Sequence, residues 1–403
     1  MSVLYGKRIL LGVAGSLVCY QSAIIASKLV EAGATVDVFM TKSAKELISP
    51  FILQVITGRH VYTDDEWWLI NQKQFLNEKH MEADLLLIAP ISGNTISKIA
   101  NGISDNILVY TAMSVKCPII LVPDLELMIS ENAATKENIK RLEERGCQIL
   151  MNDTLEEKGK FFPVDDIIKH ARLLLSKGGK MSGRKIVVTV GATRESIDPV
   201  RVITNRSTGL QGWAIAQASL DGGAQTVLIT TIHNRPVPFG CKVIKVENAE
   251  EMKNTVLKEV VDADILVMTA EVADFKPKNY SEHKLKKAKS PARIELIPTE
   301  DILAHVATQK VDCGFPKISV GFASESQNLL ENANEKLTSK NLDFIVADHV
   351  TTTRRLDDPD LNRLTLLHAG GEVEILDDVD QSQVGSSIIE RAFDLLLKQQ
   401  KNN

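Results

Sequence analysis

Runs of consecutive apolar residues, bounded by glycine, proline or charged residues, recur along the chain. In the first half they are "RILLGVA", "TVDVFM", "DLLLIAP" and "PIILVP". Apolar runs without polar alternation suit strands buried on both faces, as in parallel sheets. Between them lie stretches with apolar positions at helical spacing, such as "LVCYQSAIIASKLVEAG" and "AATKENIKRLEERG". Strands alternating with helices predict a parallel sheet covered on both sides. The second half repeats the plan with "KIVVTV", "QTVLIT", "KVIKV", "DILVMTA", "ISVGFAS" and "LDFIVAD", and "NRLTLLHAGGEVEIL" reads as a terminal hairpin. The fold class expected is α/β, with two Rossmann-like domains, the second a parallel sheet that ends in a hairpin.

Two stretches share a basic start, a buried-type strand and a glycine turn: "GKRILLGVAGS" (Gly6 to Ser16) and "GRKIVVTVGAT" (Gly183 to Thr193). Each opens a domain. The glycine-rich, basic "SKGGKMSGRK" between them lacks apolar periodicity and suits a linker. The expected division is therefore 1–175, a linker over 176–184, and 185–403. In doubly wound sheets ligands bind at the carboxyl ends of the strands, where strand order reverses. The residues just after each strand are the ones to inspect.

Composition narrows the picture. The chain has 403 residues, 44% hydrophobic and 25% charged, with a formal net charge of -5. That balance speaks against attraction of nucleic acid by the whole chain, so any anion site must be local. The five cysteines, Cys19, Cys117, Cys147, Cys241 and Cys313, form no C-x-x-C pair. They read as reduced thiols, not as a disulfide framework or a zinc site. No run approaches the ~18 apolar residues of a membrane span. The protein is expected to be cytoplasmic, with small-molecule partners and neither membrane nor nucleic acid among them.

Three strand ends in the first half carry glycine, hydroxyl and amide groups: Gly12, Gly15 and Ser16 in "VAGS", then "MTKSA", then "APISGNTISKIANGISDN". Backbone N–H groups and hydroxyls there could face a phosphate. Glycines after a strand also serve a tight turn, and no G-x-G-x-x-G is present. From about Lys7 to Gly146 these segments resemble the homo-oligomeric flavin-containing cysteine decarboxylases. The resemblance rests on "VAGSLVCYQ", on "MTKSA" followed by "SP", and on "APISGNT" with "IANGISDN". It implies a flavodoxin-like flavoprotein domain, with Gly15, Ser16, Thr41, Ser43, Ala89, Pro90, Ser92 and Asn94 near FMN.

The same resemblance implies a decarboxylase whose working groups are not here. The family's histidine lies about eight residues before the aspartate of the "AD" that opens a strand; eight before Asp84 stands Leu76, and His80 is too close to that strand to align. Its P-x-M-N-x-x-M motif appears as "PDLELMI", with Glu126 in place of the asparagine that holds the substrate carboxylate. Like charges there would repel. The family's flap cysteine has no counterpart in "MNDTLEEKGKFFPVDD". The expectation is an FMN-type domain without decarboxylase activity.

In the second half, "GATRESIDPVRVITNRSTG" places Arg194, Glu195, Asp198, Arg201, Asn205 and Arg206 directly after a strand. It resembles the signature of the phosphopantothenoylcysteine synthetase family, G-G-T-x-E-x-I-D-P-V-R-x-I-T-N-R-S-S-G, over almost its whole length. In bacteria that enzyme is commonly fused behind the flavin decarboxylase, in the order seen here. The resemblance implies ligation of 4'-phosphopantothenate to cysteine, with CTP activating the acid as an acyl cytidylate. Such chemistry needs cations for phosphates, a metal-binding carboxylate, and donors for the acyl oxygen as charge develops. By the resemblance Asn205 donates its carboxamide to the acyl group and Arg201 orients the loop or the substrate.

The family pattern A-A-x-A-D-[FY], followed about ten residues later by K-x-K-K, is expected to be met by "DILVMTAEVADFKPKNYSEHKLKKAK", with Lys284 at the catalytic lysine and Lys286 and Lys287 following. Met268, Thr269 and Ala270 are then expected near CTP, with Asp274 contacting CTP or Mg2+. Glu300, Asp301, Ile302 and Leu303 border the nucleotide, Phe322 packs near its base, and Lys336 and Lys340 complete the grip on the triphosphate. Two departures stand out: "STGLQG" puts Leu210 where the family has lysine, and "ADHV" replaces A-N-D-V. Neither touches Asn205, Asp274 or Lys284. The spacing leaves ATP open beside CTP. It also leaves open a fully bifunctional enzyme, or a non-catalytic flavin-binding module. The family implies homo-oligomers.

Overall fold

The computed structural model describes residues 3–65, 82–152, 160–286, 293–325, 327–349, 362–379 and 381–402. The chain forms two compact units that divide between Ser176 and Lys177.

The first unit is built on a six-stranded sheet of β1 (Arg8–Val13), β2 (Thr35–Met40), β3 (Val61–Thr63), β4 (Leu85–Ile91), β5 (Ile119–Pro123) and β6 (Gln148–Ile149). All neighbours are parallel, in the order β3-β2-β1-β4-β5-β6, so the order reverses between β1 and β4. The alternating faces of β1 explain its unbroken apolar run. Ile9, Leu11 and Val13 pack with Ile25 and Leu29 of helix Gln21–Glu31 and Ile167 and Ala171 of helix Val164–Ser176. Leu10 packs with Ile96, Ile99 and Leu108 on the opposite side. The one polar residue inside the second run, Asp37, is 2% exposed and sits between Arg8 (2.7 Å) and Arg59 (2.6 Å). Burial pushes its carboxyl up, and the two guanidinium groups more than reverse this. The short strands β3 and β6 were not anticipated, because two or three residues carry no readable period.

The second unit has an eight-stranded sheet. Its strands are β7 (Lys185–Val190), β10 (Gln225–Thr230), β11 (Lys242–Lys245), β12 (Ile265–Met268), β15 (Ile318–Glu325), β16 (Phe344–His349), β17 (Asn362–His368) and β18 (Val373–Val379). The order is β11-β10-β7-β12-β15-β16-β17-β18, with only β17 and β18 antiparallel to their neighbours, as the terminal hairpin requires. Its switch point lies between β7 and β12, where Met268 is in register with Thr189. Two small hairpins, β8 (Arg194–Ser196) with β9 (Val202–Thr204) and β13 (Phe275–Pro277) with β14 (Leu296–Pro298), rise from the carboxyl end of this sheet. Within the stretch expected to be linker, Met181 is 3% exposed and joins the core of this unit, its N–H bonding the Gly222 carbonyl at 2.8 Å. Among the described residues no helix is long and apolar enough to cross a membrane.

Candidate active site

The stretch after β7 is not an open loop. Residues Arg194 to Thr204 fold into the β8–β9 hairpin, and most of its polar side chains hold neighbouring chain in place. Thr193 accepts from the Ala273 N–H at 2.9 Å, and Thr204 donates to the Thr193 carbonyl at 2.8 Å. Glu195 accepts from the Ala249 N–H (2.8 Å) at the start of helix Ala249–Glu259, where a carboxylate satisfies an orphan donor. Asp198 is enclosed, 1% exposed, and accepts from the N–H groups of Val200 and Arg201 (2.8 Å each) and of Leu285 (3.1 Å). Burial pushes its carboxyl up, but these bonds and the Arg201 guanidinium at 2.6 Å bring it down to about 2.

The carboxyl ends of β12 and β15 and the start of helix Ile302–Cys313 enclose a cavity of about 400 Å³. Twelve expected site residues line it: Asn205, Met268, Thr269, Ala270, Asp274, Glu300, Asp301, Ile302, Leu303, Phe322, Lys336 and Lys340. They come from five separate places in the chain. Thr189 fixes the rim, accepting from the Ala270 N–H at 3.1 Å, while Thr299 donates its N–H to the Asp274 carbonyl at 2.9 Å. Asp301 caps its helix through the Ala304 N–H (3.1 Å) and pairs with Lys340 (3.1 Å). Lys336 pairs with Glu325 at 2.7 Å. Burial raises the Glu325 carboxyl, and the bonds from Lys336 and Asn332 more than offset it. Glu300 is held by Lys253 (2.8 Å), which lowers its carboxyl. Among the described lining residues, four carboxylates face two lysines.

Arg201 and Lys284 do not line this cavity. Arg201 is turned to Asp198 and to the Leu285 carbonyl, which its Nη1 reaches at 2.9 Å. Asp198 and Arg201 thus grip both peptide groups of Leu285, and so anchor the residue next to Lys284. Lys284 and Lys286 are exposed, and Lys287 lies outside the described residues.

Sequence reasoning missed Glu271, Val272, Ala273, Thr299 and Ser324, all of which line the cavity. Glu271 was legible: it stands at the second alanine of the pattern A-A-x-A-D-[FY], so that pattern is not met in full. It is half-buried and accepts from the Ser324 hydroxyl at 3.0 Å. Burial pushes its carboxyl up; Ser324 and Lys336 oppose this, and Asp274 and Asp348 add to it.

In the first unit a cavity of about 390 Å³ is lined by Gly15, Thr41, Ser43, Ser92 and Asn94 of the expected flavin set, with Lys42, Asp64, Thr95, Lys98, Asp105 and Asn106. Three helix starts meet there, capped by Thr41, Ser92 and Asn106. Asp64 bridges two of them, accepting from the N–H groups of Lys42 (2.9 Å) and Ile107 (3.0 Å). Gly15 is required for space, since a Cβ would lie 2.4 Å from the Ser43 Cβ. Ser16, Ala89 and Pro90 do not line the cavity: Ser16 bonds Asp124, and Ala89 is fully buried before its cis peptide bond to Pro90. Glu126 is exposed at the start of the short helix Leu127–Ser130. Leu76, His80 and the core of the flap segment, 153–159, lie outside the described residues.

Comparison with known proteins settles the family. The model for the DNA/pantothenate metabolism flavoprotein C-terminal domain matches residues 181–395, and the flavoprotein model matches 2–175. Coenzyme A biosynthesis bifunctional protein CoaBC of Bacillus subtilis (strain 168) is 35% identical over 396 residues, 94% of this chain and 96% of that protein. The chain belongs to the family of coenzyme A biosynthesis bifunctional proteins. The relative of the same name from Vibrio cholerae serotype O1 is 33% identical over 92% of this chain and 94% of its own length. A crystal structure of the C-terminal domain of a CoaBC protein aligns with a TM-score of 0.46 at 31% identity, covering 55% of this chain and 99% of that one. The molecule is accordingly an enzyme of coenzyme A biosynthesis, with a flavoprotein, decarboxylase-like first unit and a ligase-type second unit.

Proposed function

We propose that the second unit joins 4'-phosphopantothenate to cysteine through an acyl cytidylate formed from CTP. The observation that carries this reading is the convergence of Asn205, Asp274, Phe322, Lys336 and Lys340 on one cavity at the switch point of the sheet. In the first step the substrate carboxylate attacks the α-phosphorus of CTP and pyrophosphate leaves. In the second, the cysteine amine attacks the acyl carbon and CMP leaves. Asn205 donates to the acyl oxygen as negative charge develops there. Lys284, in the irregular segment anchored through Leu285, supplies a point charge to the reacting phosphoryl oxygens. Lys336 and Lys340 exchange Glu325 and Asp301 for phosphate oxygens. Arg201 acts as a positioning residue, through Leu285.

The donor set fits Mg2+ that arrives with the nucleotide. Among the described residues no three His, Cys, Asp or Glu side chains form a ready cage. Mg2+ is typically held by one or two carboxylates plus substrate phosphates, and Asp274 on the cavity wall is the carboxylate assigned to it. The excess of carboxylates over lysines in the lining also calls for a cation beside a triphosphate.

For the first unit the reading is FMN binding without the family's decarboxylation. The cradle of Thr41, Ser43, Ser92 and Asn94 at two helix starts, with the Asn106-capped start beside them, suits the FMN phosphate, which hydroxyls and N–H dipoles favour. Glu126 in the carboxylate-binding position opposes decarboxylation. The bifunctional name of the relatives favours a second reading in which both activities persist. Self-association belongs to the proposal too, supported by the apolar side chains of Phe51, Ile52 and Val55, 69%, 46% and 65% exposed on helix Pro50–Thr57.

One experiment tests these points: incubation with phosphopantothenate, Mg2+, cysteine and either CTP or ATP, with mass detection of products. Ligated product and CMP, without loss of CO2, are expected. No CMP from CTP would sink the ligase, CO2 release would restore the bifunctional reading, and a colourless purified protein would remove FMN.

A further inference from the structure

We propose that Glu271 takes the proton from the cysteine amine as that amine attacks the activated acyl carbon. The proposal rests on the ligase reading and adds a group to its second step. Glu271 opens the loop after β12, and its backbone is fixed on both sides to the signature stretch. Its N–H bonds the Gly191 carbonyl at 2.8 Å, and its carbonyl accepts from the Thr193 N–H at 3.1 Å. The side chain therefore starts from backbone hydrogen-bonded on both sides at the switch between β7 and β12. It lines the same cavity as the Asn205 amide assigned to the acyl oxygen.

The neighbouring acids are differently placed. Glu300 and Asp301 are engaged with Lys253 and Lys340, and Asp274 is exposed on the rim. Glu271 is half-buried, and among the described residues its side-chain hydrogen bond is the neutral one from Ser324, to Oε1. It forms no ion pair among them. Burying a carboxylate with so little compensation costs stability, which a merely structural residue would not need. The groups facing it are Ser324 at the end of β15, Lys336 from helix Leu329–Ser339, Asp348 from β16 and Asp274 from its own loop. Burial, the largest cause, pushes its carboxyl up, the direction that suits a general base.

The step balances without further reagents. The amine nitrogen forms the C–N bond, the bond from the acyl carbon to the CMP oxygen breaks, and CMP leaves with that electron pair. The surplus amine proton passes to the Glu271 carboxylate and from there to water. The lysines in the lining are already engaged, Lys336 with Glu325 and Lys340 with Asp301.

The test separates the two half-reactions in Glu271→Gln, which keeps the side-chain shape and can still accept from Ser324. Pyrophosphate release from CTP and phosphopantothenate, measured without cysteine, is expected to fall far less than amide formation with cysteine. Amide formation with cysteine is expected to fall by about 10²-fold or more, the usual contribution of a positioned base. Hydroxylamine sheds the same proton on acylation, so its reaction with the acyl nucleotide is expected to fall as well, whereas a residue that only binds the rest of cysteine would leave it unchanged. The acid limb of the cysteine pH profile should vanish in Glu271→Gln and move to higher pH in Ser324→Ala, which removes the one bond that holds the carboxyl down. A hydroxylamine reaction that keeps its original rate, an unimpaired cysteine reaction, or a Ser324→Ala profile that does not move would each overturn the assignment. A wild-type protein that activates no acid would instead overturn the ligase reading, and the role of Glu271 with it.

Discussion

Gly209→Ala probes how tightly the signature stretch is packed onto its sheet. Gly209 precedes helix Leu210–Asp221 with a φ of 71°, a left-handed conformation that a Cβ disfavours by about 1–2 kcal/mol. An added Cβ would also lie 2.6 Å from Val190 Cγ1, 2.8 Å from Ile232 Cδ1 and 3.2 Å from the Gly191 N. Overpacking of this kind costs about 1–3 kcal/mol, and here one obstacle is backbone, which cannot rotate away. The two terms together come to roughly 3 kcal/mol, or a fall of about 6–12 °C in the unfolding temperature of a unit this size. Gly314→Ala supplies the control within the same unit. Gly314 has a φ of 75° but nothing within 4 Å of its added Cβ, so it carries the conformational term alone. Scanning calorimetry of the full chain would compare the two variants. A Gly209→Ala transition no lower than that of Gly314→Ala would refute the packing argument.

The remaining expectations concern the site and its titration. Asn205→Asp and Lys284→Gln should abolish ligation at an unchanged unfolding temperature, and unaltered turnover in either variant would remove that residue from the mechanism. Asp198→Asn should free the Leu285 segment, read as faster proteolysis near Lys284 together with a fall in ligation. The folded carboxyl of Asp198 lies at about 2 against an ordinary 3.8, so its stabilisation is complete above about pH 4 and is lost as pH falls toward 2. The urea midpoint of the wild type should decline across that window, and that part of the decline should be missing in Asp198→Asn. Burial pushes the Cys241 thiol up to about 12, whereas Cys313 is exposed. Iodoacetamide at pH 8 should therefore modify Cys313 first, with peptide mass analysis as the readout, and the reverse order would contradict the burial of Cys241.

The signature stretch divides into scaffold and chemistry in a way that explains its density of charge. Glu195, Asp198 and Arg201 hold backbone donors and acceptors of two other segments, at Ala249 and Leu285, and Asn205 alone among its polar side chains reaches the cavity. Enclosed carboxylates are suited to that work, because they accept several N–H bonds at once and bind more strongly than neutral acceptors. Changes in Asp198 and Arg201 should therefore alter activity through the position of Lys284.

Local order along the chain was sufficient to determine the two sheets, their parallel sense and the terminal hairpin. Strands such as Lys185–Val190 and Gln225–Thr230 fall where their apolar runs lie, since burial on both faces leaves no room for polar alternation. Motif and strand end together also marked most of the cavity wall, from Met268 to Lys340. Tertiary structure alone decided three things. It turned the signature stretch into a hairpin, because Thr193, Glu195 and Asp198 find their partners 54 to 87 residues away. It placed Arg201 on Leu285 and off the cavity, a contact between residues 84 apart that no spacing encodes. And it gave Glu271 its half-buried position beside Ser324, 53 residues on, where the low-dielectric surroundings that could turn an acid into a base arise only when β12 and β15 come together.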